Sequence, residues 1–126
     1  MLYLPHGLEV IGNNWFIHRN VEKVFIPSTV RELGEYAFAY CRQLREVVFE
    51  PGSQLETIGE RCFENCGLEE VMIPKSVRDI GNSAFCGCHN LRSLSFEEGS
   101  QLVHVGKYVI NSTQVDLKKV KFPSTA

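Results

Sequence analysis

The residues best suited to chemistry in this 126-residue chain are its five cysteines. Cys41, Cys66 and Cys88 each follow a glycine by seven residues, so they hold one repeated position. They could pack as buried thiols or form disulfides between equivalent positions. Alternatively, residues 86–89 could form a zinc cluster with Cys62 and Cys66. Zinc needs four converging ligands, and equivalent side chains that point the same way seldom reach disulfide geometry. We therefore expect small buried thiols and no metal site.

The histidines offer no catalytic arrangement, because none shares a repeated position with another or has a serine or cysteine at a known catalytic spacing. The sequence also lacks a glycine-rich phosphate loop, a His-Glu-x-x-His motif and a Gly-x-Ser-x-Gly motif. We predict that the protein is not an enzyme and has no cofactor. The four residues expected on the surface are His6, His18, His89 and His104. Asn111 begins an Asn-Ser-Thr triplet, which would accept a glycan only in a protein secreted by a eukaryote.

The composition narrows the class of protein. A chain of 14.3 kDa with 44% hydrophobic residues suits one folded domain. Its 13 basic and 15 acidic residues argue against a nucleic-acid partner, which needs a basic face. No apolar run approaches the roughly 20 residues that span a bilayer. The first residues, Met1 to His6, lack a charged region followed by an apolar stretch, so we predict no signal peptide.

The chain repeats itself, and this repeat must position any functional residue. Glycines after an aliphatic residue are spaced by 22, 25, 22 and 25 residues; they are Gly12, Gly34, Gly59, Gly81 and Gly106. A large apolar residue follows each by four positions: Phe16, Phe38, Phe63, Phe85 and Ile110. An apolar-x-x-apolar-x-apolar segment then follows, at residues 21–26, 44–49, 68–73, 91–96 and 117–122. Five copies in phase predict stacked coils that stabilise one another through neighbour contacts.

A period of this length with one short strand per copy is typical of a leucine-rich repeat. We predict an α/β repeat: a solenoid of about five coils of 22–25 residues, with parallel strands on one face. Each glycine is expected at positive φ, followed by one or two helical turns such as residues 34–41. A second short extended segment, such as residues 30–33, would precede the glycine. The single domain would span residues 1–126, with coils starting near residues 8, 30, 55, 77 and 102.

With these positions assigned, the sequence resembles the BspA-like leucine-rich repeat family from about residue 8 to its end. The family pattern is clearest in residues 73–91, where Ile73-Pro74 is followed by Ile80-Gly81, Ala84-Phe85 and Cys88. The resemblance implies a surface protein of a microbe or protozoan, in a family associated with adhesion to host or matrix proteins. It therefore implies a cell-surface or extracellular location. The end copies depart from the pattern, as expected for coils that cap a stack.

The outward side chains of the stacked strands form the predicted binding surface. One column reads Lys23, Glu46, Glu70, Ser93 and Lys119, and the next reads Phe25, Val48, Met72, Ser95 and Lys121. The adjacent apolar residues of the second column fit two interpretations. They are either tolerated surface apolars or a sticky patch flanked by charge, as at protein-binding surfaces. We predict the second, with a host or extracellular matrix protein as the candidate partner.

A second hypothesis is an intracellular scaffold or a self-assembling structural unit. The missing signal peptide and the free cysteines favour a cytoplasmic location of this kind. The chain stops at residues 122–126, where another coil would begin, so it is either cut from a longer stack or covered there by a partner chain. An uncovered strand edge invites pairing, and the partner would then be a second copy in a homodimer. The sequence does not identify the ligand.

Overall fold

The computed structural model describes residues 1–123 as a stack of coils, and residues 124–126, which the domain prediction includes, lie outside the described part. The strands of the described part are β1 (Leu2–Tyr3), β2 (Val10–Ile11), β3 (Lys23–Ile26), β4 (Glu32–Leu33), β5 (Glu46–Phe49), β6 (Thr57–Ile58), β7 (Glu70–Ile73), β8 (Asp79–Ile80), β9 (Ser93–Phe96) and β10 (His104–Val105). All their pairings are parallel. The parallel-strand solenoid of about five coils is therefore confirmed.

The odd-numbered strands form the main face. They pair in the orders β1-β3-β5 and β7-β9. Alternate residues point inward, so Val24 and Ile26 are buried in β3, and Val71 and Ile73 in β7. This two-residue period is what the apolar-x-apolar pattern of the repeat encodes.

The even-numbered strands form a second, continuous sheet in the order β10-β8-β6-β4-β2. Their inward residues, including Leu33, Ile58 and Ile80, are fully buried. The second extended segment before each glycine is thus present in every coil.

The expected helical turns are wrong, because residues 1–123 contain no helix. Between Gly34 and Cys41 the N–H groups alternate between two kinds of partner. Phe38 N donates to Cys62 O of the next coil at 2.8 Å, whereas Ala37 N donates back to Gly34 O at 3.3 Å. Tyr36 and Tyr40 adopt positive φ, at 57° and 60°. Half of the N–H groups are therefore committed to neighbouring coils, and an α-helical i→i−4 ladder does not form.

Aromatic rings run through the stack as a common spine. The centroids of Phe38 and Phe63 lie 5.3 Å apart with an interplanar angle of 3°, and Phe63 stands in the same relation to Phe85 at 5.3 Å and 5°. Phe16 extends the row, 5.2 Å from Phe38. Equivalent rings in successive coils are thus aligned, as the four-residue offset from each glycine predicted.

The repeat glycines serve a different purpose from the one predicted. The positive-φ glycines of the described chain are Gly7, Gly52, Gly87 and Gly99, none of which is a repeat glycine. A Cβ on Gly59 would lie 2.7 Å from the backbone carbon of Gly34. Gly34, Gly59, Gly81 and Gly106 lack a side chain because the preceding coil approaches too closely to admit one, whereas a Cβ on Gly12 would meet the side chain of Trp15.

The last predicted strand, residues 117–122, does not form. Lys119 N donates to Asp116 O at 2.9 Å, and Asp116 Oδ1 accepts from Lys118 N at 3.0 Å, so the aspartate folds this segment into a turn. Leu117 is exposed and Phe122 packs against Phe96, with ring centroids 5.5 Å apart. The main face instead begins one coil earlier than predicted, at β1.

Candidate protein-binding surface

An outward row of apolar side chains crosses the main face. Tyr3 pairs in register with Phe25, and Phe25 with Val48; Met72 follows on β7. We call these four residues the apolar stripe. Tyr3 is 69% exposed and Met72 is 60% exposed, and the rings of Tyr3 and Phe25 lie 5.7 Å apart. Phe25 and Val48 are therefore adjacent on one outward column, as predicted, whereas Met72 lies on a strand that is not paired with β5.

The charged column lies beside the apolar stripe. Lys23 pairs in register with Glu46, and Glu70 with Ser93. Lys23 Nζ lies 3.3 Å from Glu46 Oε1, and both side chains are about half exposed. An exposed pair of this kind adds little stability, so its charges remain available to a partner.

Two predicted members are not brought to this surface. Lys119 and Lys121 are exposed, but they belong to the segment that turns away at Asp116 instead of pairing with β9. Ser95 is opposite Met72 in register and continues the stripe as a polar residue. Tyr3 was not among the predicted site residues. Its signal was the run of residues 2–5, Leu-Tyr-Leu-Pro, which matches the Val-Phe-Ile-Pro of residues 24–27.

The stripe is interrupted by a break in the main sheet. β5 and β7 are neighbours in the stack, yet within residues 1–123 no strand pairing joins them. β7 begins 24 residues after β5, whereas the paired neighbours on either side are 23 residues apart. Pro74 also stands at the place where Glu50 N donates to Ile26 O and Glu97 N donates to Ile73 O. Proline has no N–H, so the equivalent bond to the carbonyl of Phe49 is absent.

A groove of about 300 Å³ opens along this break. Val47 and Phe49 of β5 are only half buried there, whereas the equivalent Val24 and Ile26 are fully buried. Val48, Met72 and Pro74 also line the groove. The apolar stripe therefore contains a concave element, which was not predicted from the sequence.

The cysteines of the repeated position are buried thiols, as expected, and Cys62 is buried too, whereas Cys86 is only partly buried. Cys41, Cys66 and Cys88 donate from Sγ to the carbonyl oxygens of Phe16, Phe38 and Phe63, each at 3.0 Å. All five cysteines are free in the described chain.

Burial raises the pKa of the Cys88 thiol to about 12 and that of Cys66 well above its usual value. It also raises the pKa of Cys41 and of Cys62. Thiols held protonated in this way are poor nucleophiles and poor metal ligands at neutral pH.

The remaining candidates for chemistry do not converge. All four histidines are exposed, as predicted, and so is Asn111. Among residues 1–123, no three or more His, Cys, Asp and Glu side chains are grouped so that they could hold a metal ion. The same residues contain no helix with the length and hydrophobicity required to cross a membrane.

Comparison with solved structures identifies proteins that share this architecture. The pneumococcal vaccine antigen PcpA has a TM-score of 0.82 at 21% identity, over 98% of this chain and 40% of that chain. A leucine rich cell surface protein of Faecalibacterium prausnitzii has a TM-score of 0.56 at 17% identity, over 91% and 48% of the two chains. A leucine-rich repeat protein of Bacteroides ovatus has a TM-score of 0.54 at 22% identity, over 98% and 46%. At these identities the likeness shows the fold.

The present chain therefore spans less than half the length of these structures. Comparison with curated protein sequences gave no match. The family model for the BspA type leucine rich repeat region matches residues 9–126 in six copies. The repeat pattern, the stacked strands and this match lead to one conclusion: the chain belongs to the BspA type leucine-rich repeat family.

Proposed function

We propose that this chain is a non-enzymatic, protein-binding module of a microbial or protozoan cell-surface protein, and that it binds its partner through the apolar stripe. The single observation that carries the proposal is the alignment of Tyr3, Phe25, Val48 and Met72 on the outward side of the main face. Exposed apolar side chains are unfavourable in water. Their burial against a partner contributes about 25 cal/mol per Å² of apolar surface that is removed from water. Charged residues beside it suit a protein partner.

The surface context of the proposal is supported by the related structures. One of them is described as a leucine rich cell surface protein and another as a vaccine antigen. A protein partner, such as a host or extracellular matrix protein, also agrees with the mixed charges of Lys23, Glu46 and Glu70, which would not suit a phosphate backbone.

The experiment compares two triple variants on biosensor surfaces coated with a panel of extracellular matrix proteins. Phe25→Ser/Val48→Ser/Met72→Ser removes most of the stripe from outward positions and should leave the buried core intact. We expect it to weaken any interaction of the parent chain at least tenfold, since truncation of a central apolar anchor commonly costs more than about 1.4 kcal/mol.

The matched control is Trp15→Ser/Val103→Ser/Tyr108→Ser, which removes three side chains that are 51–61% exposed elsewhere. This variant should bind like the parent. Circular dichroism of both variants verifies the fold. Equal affinity of the parent and the stripe variant would remove this surface from consideration.

A further inference from the structure

Two exposed arginines in the segments that lead into β3 and β5 lie over aromatic rings. The guanidinium carbon of Arg19 is 5.6 Å from the centroid of the Phe16 ring, and that of Arg42 is 5.7 Å from the centroid of the Tyr40 ring. Both distances are within the range of a cation–π contact. The ring of His18 stacks on that of Tyr40, with centroids 5.0 Å apart and an interplanar angle of 13°. We call these five residues the arginine patch.

The two arginines belong to adjacent coils that are in contact at this place. His18 N donates to Ala39 O at 3.0 Å, so the two segments run side by side. Burial raises the pKa of the Cys41 thiol, and the nearby charge of Arg19 opposes this rise. Arg19 therefore lies close to the residue that directly precedes Arg42, and the two positive charges share one area of the surface.

The charges of the two arginines are not neutralised by carboxylates. Among the ion pairs of residues 1–123, none includes Arg19 or Arg42. Glu22, the acidic residue that follows Arg19 most closely in the sequence, lies 3.7 Å from Arg45 instead. The chain as a whole has a net charge of -2, so the patch is a local cationic area on a slightly acidic protein.

The next coil does not cover the patch. Glu64 raises the pKa of the Tyr40 hydroxyl, so its carboxylate lies near that ring. This carboxylate is already paired, with Oε2 2.8 Å from Arg61 Nη1, and its side chain is only 7% exposed. A Cβ on Gly67 would lie 2.6 Å from the carbonyl oxygen of Arg42, so the neighbouring position carries no side chain.

We infer that the arginine patch is a second contact surface, which binds an acidic segment of a protein partner. A guanidinium pairs with a carboxylate through two parallel hydrogen bonds. An aromatic ring contacts the face of the guanidinium, so the N–H groups at its edge stay free to donate. The rings also hold the arginines in place before a partner arrives, which lowers the entropy cost of binding. The patch lies outside the main strands, so this inference goes beyond the proposed function and does not depend on the apolar stripe.

The probe is the pentapeptide Gly-Glu-Glu-Glu-Gly, which carries an uncharged fluorescent dye and is titrated with the full chain by fluorescence anisotropy. The matched peptide replaces each glutamate by glutamine. We expect the glutamate peptide to bind about fivefold more tightly, as two exposed charge pairs can supply. Added salt should narrow this preference. Equal affinity for the two peptides at low salt would overturn the inference.

The decisive variant is Arg19→Gln/Arg42→Gln, which should abolish the preference for glutamate over glutamine. The matched control is Arg78→Gln/Arg92→Gln, which removes the same charge from two exposed arginines elsewhere on the stack and should keep the preference. Circular dichroism verifies the fold of both variants. Equal losses of preference in the two variants would mean diffuse attraction to the whole chain and would also overturn the inference.

A sulfated glycan is the competing ligand, because guanidinium groups pair with sulfates as well as with carboxylates. A heparin tetrasaccharide and the unlabelled glutamate peptide are therefore compared as competitors of the labelled peptide. Displacement by the tetrasaccharide at the lower concentration would assign the patch to a glycan and refute a protein partner. The variant Phe25→Ser/Val48→Ser/Met72→Ser should keep the glutamate preference. Failure of the patch would thus leave the proposed function of the apolar stripe intact, and the reverse also holds.

Discussion

The stack of phenylalanine rings makes the most demanding prediction about how this fold is stabilised. Phe63 is 1% exposed and lies between Phe38 and Phe85, with ring centroids 5.3 Å away on both sides. Phe63→Ala would remove a fully buried ring and should cost about 4–5 kcal/mol of unfolding free energy, at the upper end for such truncations because both faces lose a partner. This loss is close to the whole stability of many small domains, so leucine substitutions are the practical measurement.

A solenoid predicts which pairs of rings are energetically coupled. The cycle of Phe38→Leu with Phe63→Leu joins rings in direct contact and should give a coupling of about 0.5–1.5 kcal/mol. The cycle of Phe38→Leu with Phe85→Leu skips one coil and should be additive within about 0.5 kcal/mol. Urea unfolding followed by far-ultraviolet circular dichroism supplies the four free energies of each cycle. Equal coupling energies in the two cycles would refute the view that each coil is stabilised mainly by contacts with its immediate neighbours.

Two further outcomes are expected. Gly59→Ala should lower the unfolding free energy by about 2–3 kcal/mol, because its Cβ would lie 2.7 Å from the backbone of Gly34 and both coils would have to shift. Gly52→Ala, at a φ of 82° in open space, should lower it by only about 1 kcal/mol. The reverse order in urea unfolding would show that the close approach of coils is not what requires the repeat glycines. Stability should fall as the pH rises from about 9 toward 12, because burial raises the pKa of Cys88 to about 12 while the unfolded thiol ionises near 9. Each such thiol contributes up to about 1.4 kcal/mol to this fall per pH unit. Cys88→Ala should make the unfolding free energy less dependent on pH, and an unchanged slope would contradict the prediction.

The local sequence predicted the elements that depend on side-chain periodicity. Alternation within residues 23–26 and 70–73 identified the strands, and the constant offset from glycine to phenylalanine identified the aromatic spine. The helical turns were predicted wrongly from the same kind of evidence, because the spacing of Ala37, Phe38 and Cys41 is shared by a helix and by consecutive tight turns. The two structures differ in their backbone hydrogen bonds to the next coil, which no residue type predicts. The positive φ angles of the turns are likewise not predicted, because Tyr36 and Tyr40 adopt them without being glycine.

The candidate site was predicted in part for related reasons. Phe25, Val48 and Met72 were placed on one outward column because side chains alternate along each strand. Lys119 and Lys121 were misplaced, since the chain forms a turn at residues 116–119, with hydrogen bonds to Asp116, where a strand was predicted. Tyr3 was missed because its copy of the repeat is incomplete.

By itself the sequence determined the repeat, the stacking direction of its parallel strands and the family. Each of these depends on a residue pattern that recurs in every copy, about every two dozen residues. Only the tertiary structure decided where the stack opens. The break coincides with the 24-residue step from β5 to β7 and with Pro74, but Pro27 at the equivalent place after β3 leaves the pairing of β3 with β1 intact. A contact between two coils depends on how they are shifted relative to each other in space. The repeat pattern within one coil does not determine that shift.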